Sequence, residues 1–207
     1  MVFSPLMEEA PWYTLVRGWF NPEKERGRPE FKGLKPHQLL LLLSDGSMTL
    51  ELELLSGSRV EVEVMHRGTT RLDERLASYL EEKPGTDALV RDVWLTDGKK
   101  RLVYAHSLIP LSRLRPGLID ELERYSNEPL GRVLNSNKIF FCKERLEVAT
   151  VECGRVSKAV GKDPASLLAA RRYILFNRQG KDDWVIKASV LEIFSPEVVP
   201  CPEATGV

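Results

Sequence analysis

The fold is indicated most clearly by residues 88–109, which read ALVRDVWLTDGKKRLVYAHSLI. Two runs rich in β-branched and aromatic residues are separated here by Thr96-Asp97-Gly98-Lys99. An Asp-Gly pair between two such runs is a strong signal for a β-hairpin turn. Pro110 ends the second run, because proline cannot donate a hydrogen bond to a strand ladder. The stretch therefore predicts an antiparallel hairpin.

Two further pairs of runs predict hairpins. Residues 172–176 and 184–194 are apolar and β-branched, with a polar turn over residues 177–181 between them. Residues 51–54 and 60–64 alternate apolar and charged side chains around Ser56-Gly57-Ser58, which is typical of a hairpin with one solvated face. Part of residues 139–152 predicts one more strand.

Helical patterns lie between the predicted strands. An apolar run opens at Pro36 and ends at Ser44-Asp45-Gly46, and residues 72–83 and 117–125 carry apolar side chains at helical spacing. Pro129-Leu130-Gly131 predicts a break in the chain, and residues 157–170 fit either a helix or a loop. Hairpins with inserted helices predict an α+β fold: a single domain with a mainly antiparallel, about six-stranded sheet and helices covering one side.

The expected organisation is an irregular N-terminal lead-in over residues 1–35, a domain over residues 36–198 and a tail over residues 199–207. A chain of 207 residues is long enough to bury a core and a closed ligand site.

Composition argues against several classes of protein. Thirty basic and thirty acidic residues cancel, whereas nucleic-acid-binding domains are usually basic. The longest apolar run, residues 39–43, is too short to span a bilayer, which takes about 20 residues. Glu8 and Glu9 do not fit an export signal, so we expect a cytoplasmic protein.

No metal or cofactor site is expected from the sequence. The three cysteines, Cys142, Cys153 and Cys201, lack C-x-x-C spacing, and the three histidines show no H-x-x-x-H pairing. No P-loop, nucleophile elbow or dinucleotide-binding fingerprint is present. We interpret the cysteines as ordinary thiols of a reducing compartment.

Two charged residues stand out within apolar strands. By alternation, Arg91 shares a face with Leu89, Val93 and Leu95, and Glu192 lies between large apolar residues. Arg91 is either solvated or buried with a partner, because an unpaired buried charge is very unfavourable. Glu192 either pairs with a structural arginine or binds a ligand hydroxyl. Together they would suit a small ligand with an acid at one end and a hydroxyl at the other.

Several motifs, in this order along the chain, resemble those of the chorismate lyase family. They are Ser44-Asp45-Gly46-Ser47-Met48-Thr49, Leu89-Val90-Arg91-Asp92-Val93, Ser107-Leu108-Ile109-Pro110, Pro129-Leu130-Gly131-Arg132, and Arg171-Arg172-Tyr173 followed by Leu191-Glu192-Ile193-Phe194-Ser195-Pro196. No single motif is specific, but the set covers residues 38–196 in the family's order.

The resemblance implies a monomeric, cofactor-free lyase that eliminates pyruvate from chorismate and leaves 4-hydroxybenzoate, in a buried site covered by flaps. It implies that Arg91 binds the ring carboxylate with help from the backbone N–H of Leu130. Glu192 would bind the ring hydroxyl, and Met48 would line the pocket; Arg91 and Glu192 are thus the expected catalytic pair.

Chorismate has a second carboxylate, on its pyruvyl side, and a pocket for it needs a second cation. The candidates from the sequence are Arg67 and Arg172. For Arg67, a solvated loop residue is an equally good interpretation.

The chain departs from the family pattern at three positions. His106 stands where an arginine is usual, Asp92 replaces a glutamate and Asn135 replaces an aromatic residue. The alternative function is a non-catalytic domain of the same fold that binds a small aromatic acid, as in the effector domains of some transcription regulators. Such regulators carry a DNA-binding domain ahead of the effector domain, for which we expect no room before Ser44. A third possibility is a structural or partner-binding protein, without a closed polar cavity.

Overall fold

A computed structural model of the chain describes residues 12–180 and 183–201. Glu8 and Glu9 of the export argument, Lys181 of the last predicted turn and most of the predicted tail lie outside these residues.

Seven strands form one sheet: β1 (Thr14–Phe20), β2 (Glu61–Arg71), β3 (Asp87–Thr96), β4 (Arg101–Pro110), β5 (Cys142–Glu152), β6 (Leu167–Arg178) and β7 (Trp184–Phe194). Their spatial order is β1-β5-β6-β7-β4-β3-β2, and every neighbouring pair is antiparallel. In the part of the chain that the structure describes, six α-helices accompany the sheet: α1 (Pro36–Leu43), α2 (Met48–Ser56), α3 (Glu74–Leu80), α4 (Pro116–Arg124), α5 (Leu130–Ser136) and α6 (Gly154–Ala159). The predicted α+β class with an antiparallel sheet is confirmed.

The two strongest hairpin predictions are confirmed in position and pairing. Strands β3 and β4 pair from Ala88↔Pro110 to Thr96↔Arg101, and β6 pairs with β7 from Ala170↔Ile193 to Arg178↔Trp184. Because β7 also pairs with β4, the two hairpins lie side by side in the middle of the sheet.

The predicted hairpin over residues 51–64 is wrong. Residues 48–56 form helix α2, whose first turn is capped by the Ser47 hydroxyl and whose C-terminal cap, Gly57, has a positive φ of 67°. Leu and Glu are strong helix formers, so a short Leu-Glu alternation does not by itself specify a strand. Residues 61–64 do lie in a strand, but β2 pairs with β3 instead.

The N-terminal segment contributes a strand that we did not predict. Strand β1 pairs with β5 at the edge of the sheet, from Thr14↔Glu152 to Phe20↔Val148, which makes the sheet seven-stranded. Farther along, Leu130 begins helix α5 at the predicted break, with Pro129 as its N-cap residue. Residues 157–170, for which the sequence fits either a helix or a loop, contain the end of helix α6 (Gly154–Ala159) and the start of β6 at Leu167.

Helices lie on both faces of the sheet, whereas the sequence predicted helices covering one side. On the first face, α1 and α2 pack over one end of the sheet around Phe194, and α4 and α5 pack over the other around Leu175. On the second face, α3 and α6 pack over a cluster that contains Trp94, Tyr104 and Ile174. The two clusters on the first face leave a space between them, above the central strands.

Candidate functional site

A cavity of about 620 Å³, including its opening to solvent, occupies this space on the first face. Its floor is formed by β3, β4, β6 and β7, and it is flanked by residues 46–49 at the start of α2 and by residues 129–131 at the start of α5. A concave site with mostly apolar walls and a few polar groups is typical of small-ligand sites. The walls are mostly apolar, and the charged side chains that reach the cavity are Arg91, Lys143 and Glu192.

Four of the residues predicted from the sequence meet here: Arg91, Glu192, Met48 and Leu130. Met48 is the first residue of α2 and is buried. Leu130 is the first residue of α5. The two central hairpins therefore bring the predicted cation and carboxylate to one cavity, as the alternation along β3 and β7 indicated.

Arg91 is a cation without an acidic partner. Its Nη2 donates to the backbone oxygens of Ser126 and Glu128, at 2.7 and 2.8 Å. Burial lowers the pKa of Arg91 to about 10, and the nearby Arg67 guanidinium contributes to the shift. Among the described residues, no carboxylate forms an ion pair with it. A partly buried cation held only by neutral carbonyls favours the binding of an anionic ligand.

Glu192 is a carboxylate with two protein partners and lies in the same cavity. Arg171 Nε donates to its Oε2 at 2.5 Å, and the Tyr173 hydroxyl donates to its Oε1 at 3.1 Å. The structural-arginine alternative is therefore correct for this residue, and yet the carboxylate still lines the cavity. A carboxylate has about four acceptor sites, so capacity for a ligand hydroxyl remains.

The two residues that donate to the Glu192 carboxylate both have raised pKa values. Burial, reinforced by the Glu192 charge, holds the pKa of Tyr173 well above its usual value, so Tyr173 is a permanent donor. Burial opposes the charge on Arg171, but the Glu192 carboxylate outweighs it and raises the Arg171 pKa. Arg171 is also fixed through Nη1 to the backbone oxygens of Leu41 and Ser44.

Lys143 is a cavity residue that sequence reasoning missed. Its Nζ donates to the Gly46 backbone oxygen at 2.6 Å and lies 4.7 Å from the centre of the Tyr173 ring. Plain alternation from Glu147, which faces the other side of the sheet, would turn Lys143 away from the cavity. A register shift between Glu144 and Glu147, with Arg145 at a φ of 54°, reverses the alternation. Nothing in the charged run of residues 143–147 announces such a bulge.

The structure does not bring Arg172 to the cavity. It follows Arg171 in β6 and so points to the second face, where its Nε binds Glu147 Oε2 at 2.7 Å and its guanidinium stacks on Trp19. Arg67, opposite Arg91 in β2, forms an ion pair with Glu123 at 3.2 Å and lines a smaller neighbouring hollow that shares Arg91.

The three departures from the family pattern also lie outside the cavity lining. His106 Nδ1 and Asp92 Oδ1 are 2.6 Å apart on the second face, so these two departures pair with each other. Asn135 is exposed on α5. All three departures therefore lie away from the cavity lining.

Comparison with known proteins agrees with this geometry. Residues 42–200 match the sequence model of a family described as "Chorismate pyruvate-lyase Rv2949c-like". The chain belongs to this family. The match includes every residue of the cavity lining.

A protein of Methylococcus capsulatus (strain Bath) named "Probable chorismate pyruvate-lyase" is similar to this chain in sequence. It is 30% identical over 161 residues, which cover 77% of this chain and 94% of the relative.

Solved structures similar to this family member are regulator domains. The effector domain of PhnF from Mycobacterium smegmatis superposes with a TM-score of 0.56 at 18% identity, over 73% of this chain and 90% of that one. The C-terminal domain of the histidine utilization repressor from Pseudomonas syringae gives a TM-score of 0.54 at 10% identity, over 72% and 100%. At these identities the likeness concerns the fold alone.

Two further features of the described residues concern membrane-spanning helices and metal-binding groups. In residues 12–180 and 183–201, no helix is long and apolar enough to cross a membrane. The same residues contain no group of three or more His, Cys, Asp or Glu side chains placed to hold a metal ion.

Proposed function

We propose that this protein is a chorismate lyase, which eliminates pyruvate from chorismate in this cavity and leaves 4-hydroxybenzoate. The observation that carries the proposal is Arg91, a partly buried guanidinium that lines the cavity and has only carbonyl partners among the described residues. Family membership supplies the substrate class.

The cavity matches the two ends of the product. A ring carboxylate would meet Arg91 and the backbone N–H of Leu130, a group without a partner among the described residues. The hydroxyl would meet Glu192, whose orientation is fixed by Arg171 and Tyr173. Apolar side chains, with Met48 among them, would pack on the faces of the ring.

The chemistry requires positioning more than a strong acid or base. The bond between the ring carbon and the enolpyruvyl oxygen breaks, and its electron pair leaves with that oxygen. The neighbouring ring carbon, which carries the hydroxyl, loses its proton, and the C–H electrons complete the aromatic ring. The released enolpyruvate takes up a proton at its methylene carbon and becomes pyruvate. Aromatisation makes the reaction strongly favourable, so holding the ring in a reactive orientation is the main task of the site. Glu192 polarises the hydroxyl as the ring becomes a phenol.

A ligand-binding role without catalysis is the second candidate, because the fold is also that of regulator effector domains. Such a domain would bind a small aromatic acid through the same Arg91 and leave it unchanged. For either role we propose a monomer in the cytoplasm that does not bind nucleic acid, which light scattering after gel filtration and a DNA-binding assay would check.

The deciding experiment is turnover of chorismate by the purified protein, with and without a chelator. We expect pyruvate and 4-hydroxybenzoate in equal amounts, with no added cofactor. Binding of chorismate without turnover would support the effector-type role, and 3-hydroxybenzoate as product would contradict the proposed placement of the ring.

A further inference from the structure

The cavity has one cation more than the product requires. 4-Hydroxybenzoate has a single carboxylate, which Arg91 would bind, and a single hydroxyl, which Glu192 would bind. Lys143 would then have no ligand partner, although it lines the same cavity. Chorismate differs from the product by a second carboxylate, on the enolpyruvyl group.

Lys143 and Arg91 approach the cavity from opposite sides. Arg91 is on β3 and Lys143 on β5, four strand spacings apart in the order β3-β4-β7-β6-β5, or roughly 19 Å between backbones at about 4.8 Å per spacing. Arg91 is anchored to residues 126 and 128, before α5, whereas Lys143 is anchored to Gly46, before α2.

The chemistry of chorismate places its second carboxylate on the Lys143 side. The enolpyruvyl ether is attached to the ring carbon next to the one that carries the hydroxyl. A ring whose carboxylate meets Arg91 and whose hydroxyl meets Glu192 therefore holds the enolpyruvyl group beside Glu192. Lys143 Nζ lies 4.7 Å from the centre of the Tyr173 ring, whose hydroxyl donates to Glu192 Oε1, so the lysine and this carboxylate share one side of the cavity.

We propose that Lys143 binds the enolpyruvyl carboxylate and thereby makes the cavity prefer chorismate over 4-hydroxybenzoate. This inference rests on the proposed function and concerns the same site. It replaces Arg67 and Arg172, the candidates from the sequence, because neither of them lines this cavity.

The surroundings of Lys143 keep its ammonium available to an anion. The charged groups around it are Arg171 on β6, Glu192 on β7, Glu51 on α2 and Asp45 in the turn before α2. Among the described residues no carboxylate lies within ion-pair distance of it. Burial, assisted by the Arg171 charge, lowers the pKa of Lys143 to about 8, and the three carboxylates only partly offset this.

The turn that holds Lys143 is itself rigid. The Ser44 hydroxyl donates to Glu51 Oε1 at 2.5 Å and accepts from the Gly46 N–H at 2.8 Å. A Cβ at position 46 would come within 2.7 Å of the same Glu51 oxygen, so a larger residue there would displace this carboxylate. The Gly46 carbonyl is therefore a fixed acceptor, which directs one Lys143 N–H and leaves two for a ligand.

The test compares Lys143→Met, which keeps most of the length of the side chain and removes its charge, with Lys143→Arg, which keeps a charge. For Lys143→Met we expect kcat/KM for chorismate to fall about 10- to 100-fold, the size of a lost charge-assisted hydrogen bond. Its Kd for 4-hydroxybenzoate should change less than about threefold. Lys143→Arg should retain most of the activity.

The pH profile gives a readout that a purely structural lysine would not move. In the wild type, kcat/KM should decline above about pH 8, as the Lys143 ammonium loses its proton. Arg stays protonated in this range, so the Lys143→Arg profile should lack that decline.

Arg67→Met is the matched control, since Arg67 is a cation near the cavity that does not line it. It should leave the ratio of chorismate to product affinity unchanged. A selective loss in Arg67→Met instead of Lys143→Met would overturn the assignment, as would equal weakening of both ligands in Lys143→Met. Melting curves establish that each variant is folded.

The design separates this inference from the proposed function. If the wild type binds chorismate without converting it, catalysis is excluded, and calorimetric affinities of wild type and Lys143→Met still decide the role of Lys143. A wild type that binds 4-hydroxybenzoate no more weakly than chorismate would overturn the inference even if turnover is observed.

Discussion

The two faces of the sheet each carry a pair of cations whose partners differ in charge. On the second face, Arg172 pairs with Glu147 and Lys187 pairs with Glu81, each at 2.7 Å. On the cavity face, Arg91 and Lys143 donate only to backbone carbonyls within the described residues. Cations with acidic partners are neutralised within the fold. Cations held by neutral groups keep a positive potential in the cavity, where an anionic ligand can use it.

The adjacent arginines of β6 show that pairing alone does not define the role. Arg172 and Glu147 meet away from the cavity, whereas Arg171 neutralises Glu192 inside its wall. The second pair fixes a carboxylate that still faces the cavity. Arg171 is thus a positioning residue for Glu192, and the Arg171-Arg172-Tyr173 motif serves both faces at once.

The largest effect is expected for Arg91→Ala. A ligand carboxylate without its buried cation is unfavourable by about 3–5 kcal/mol, a loss of roughly a hundredfold to a few thousandfold in kcat/KM. Affinity for 4-hydroxybenzoate should fall with it, because the product keeps that carboxylate. Steady-state kinetics and calorimetric titration measure the two losses.

The melting temperature of Arg91→Ala tests whether Arg91, unlike the paired cations of the second face, is dispensable for stability. Since no acid is left unpaired by this change, stability should fall little. A folded Arg91→Ala protein with wild-type affinity for 4-hydroxybenzoate would contradict the division between the two faces.

A smaller loss of affinity is expected for Glu192→Gln, together with a loss of stability. The amide keeps an acceptor for the ligand hydroxyl, so product affinity should fall by at most about 1.5–3 kcal/mol, or roughly 10- to 150-fold. Arg171 is fully buried and loses its counter-charge, so the melting temperature should fall as well. Unchanged stability would show that Arg171 does not depend on this carboxylate.

The sequence predicted the site residues Arg91 and Glu192, but it did not predict Lys143, helix α2 or strand β1. Arg91 and Glu192 could be predicted because each is a charged residue among large apolar residues of a strand, where a charge is conspicuous. Lys143 could not, because a bulge at Arg145 reverses the alternation within a charged run. Four residues of Leu-Glu alternation fit the period of a helix as well as that of a strand, so the sequence predicts a strand where the structure has α2. The sequence does not predict β1, because its pairing with β5 bridges more than 100 residues.

On the second face, we expect Glu147→Gln to lower stability without affecting catalysis. Arg172 would lose its charged partner at a site where its side chain is 2% exposed. Glu147 is partly solvated, so the loss should be about 1–3 kcal/mol, or roughly 2–4 °C in Tm for each kcal/mol. Thermal unfolding measures it, and Glu144→Gln, at an exposed position of the same strand, is the control. A fall in kcat/KM of tenfold or more in the folded variant would show that the faces are not independent.

The smallest effect is expected from replacing the cysteines, because none of the three lines the cavity. Burial raises the pKa of both Cys153 and Cys201, so these thiols stay protonated and are poor nucleophiles near neutral pH. Cys142 is exposed on the edge of β5, beside Lys143 in sequence but turned to the other face. Single replacements by Ala should therefore leave kcat/KM for chorismate within about threefold of wild type. Cys153→Ala alone should also lower Tm slightly, since this thiol is buried and donates to the Trp12 carbonyl. Loss of turnover in any folded single variant would place a thiol in the reaction, and the contrast between the two faces would then not account for where the chemistry occurs.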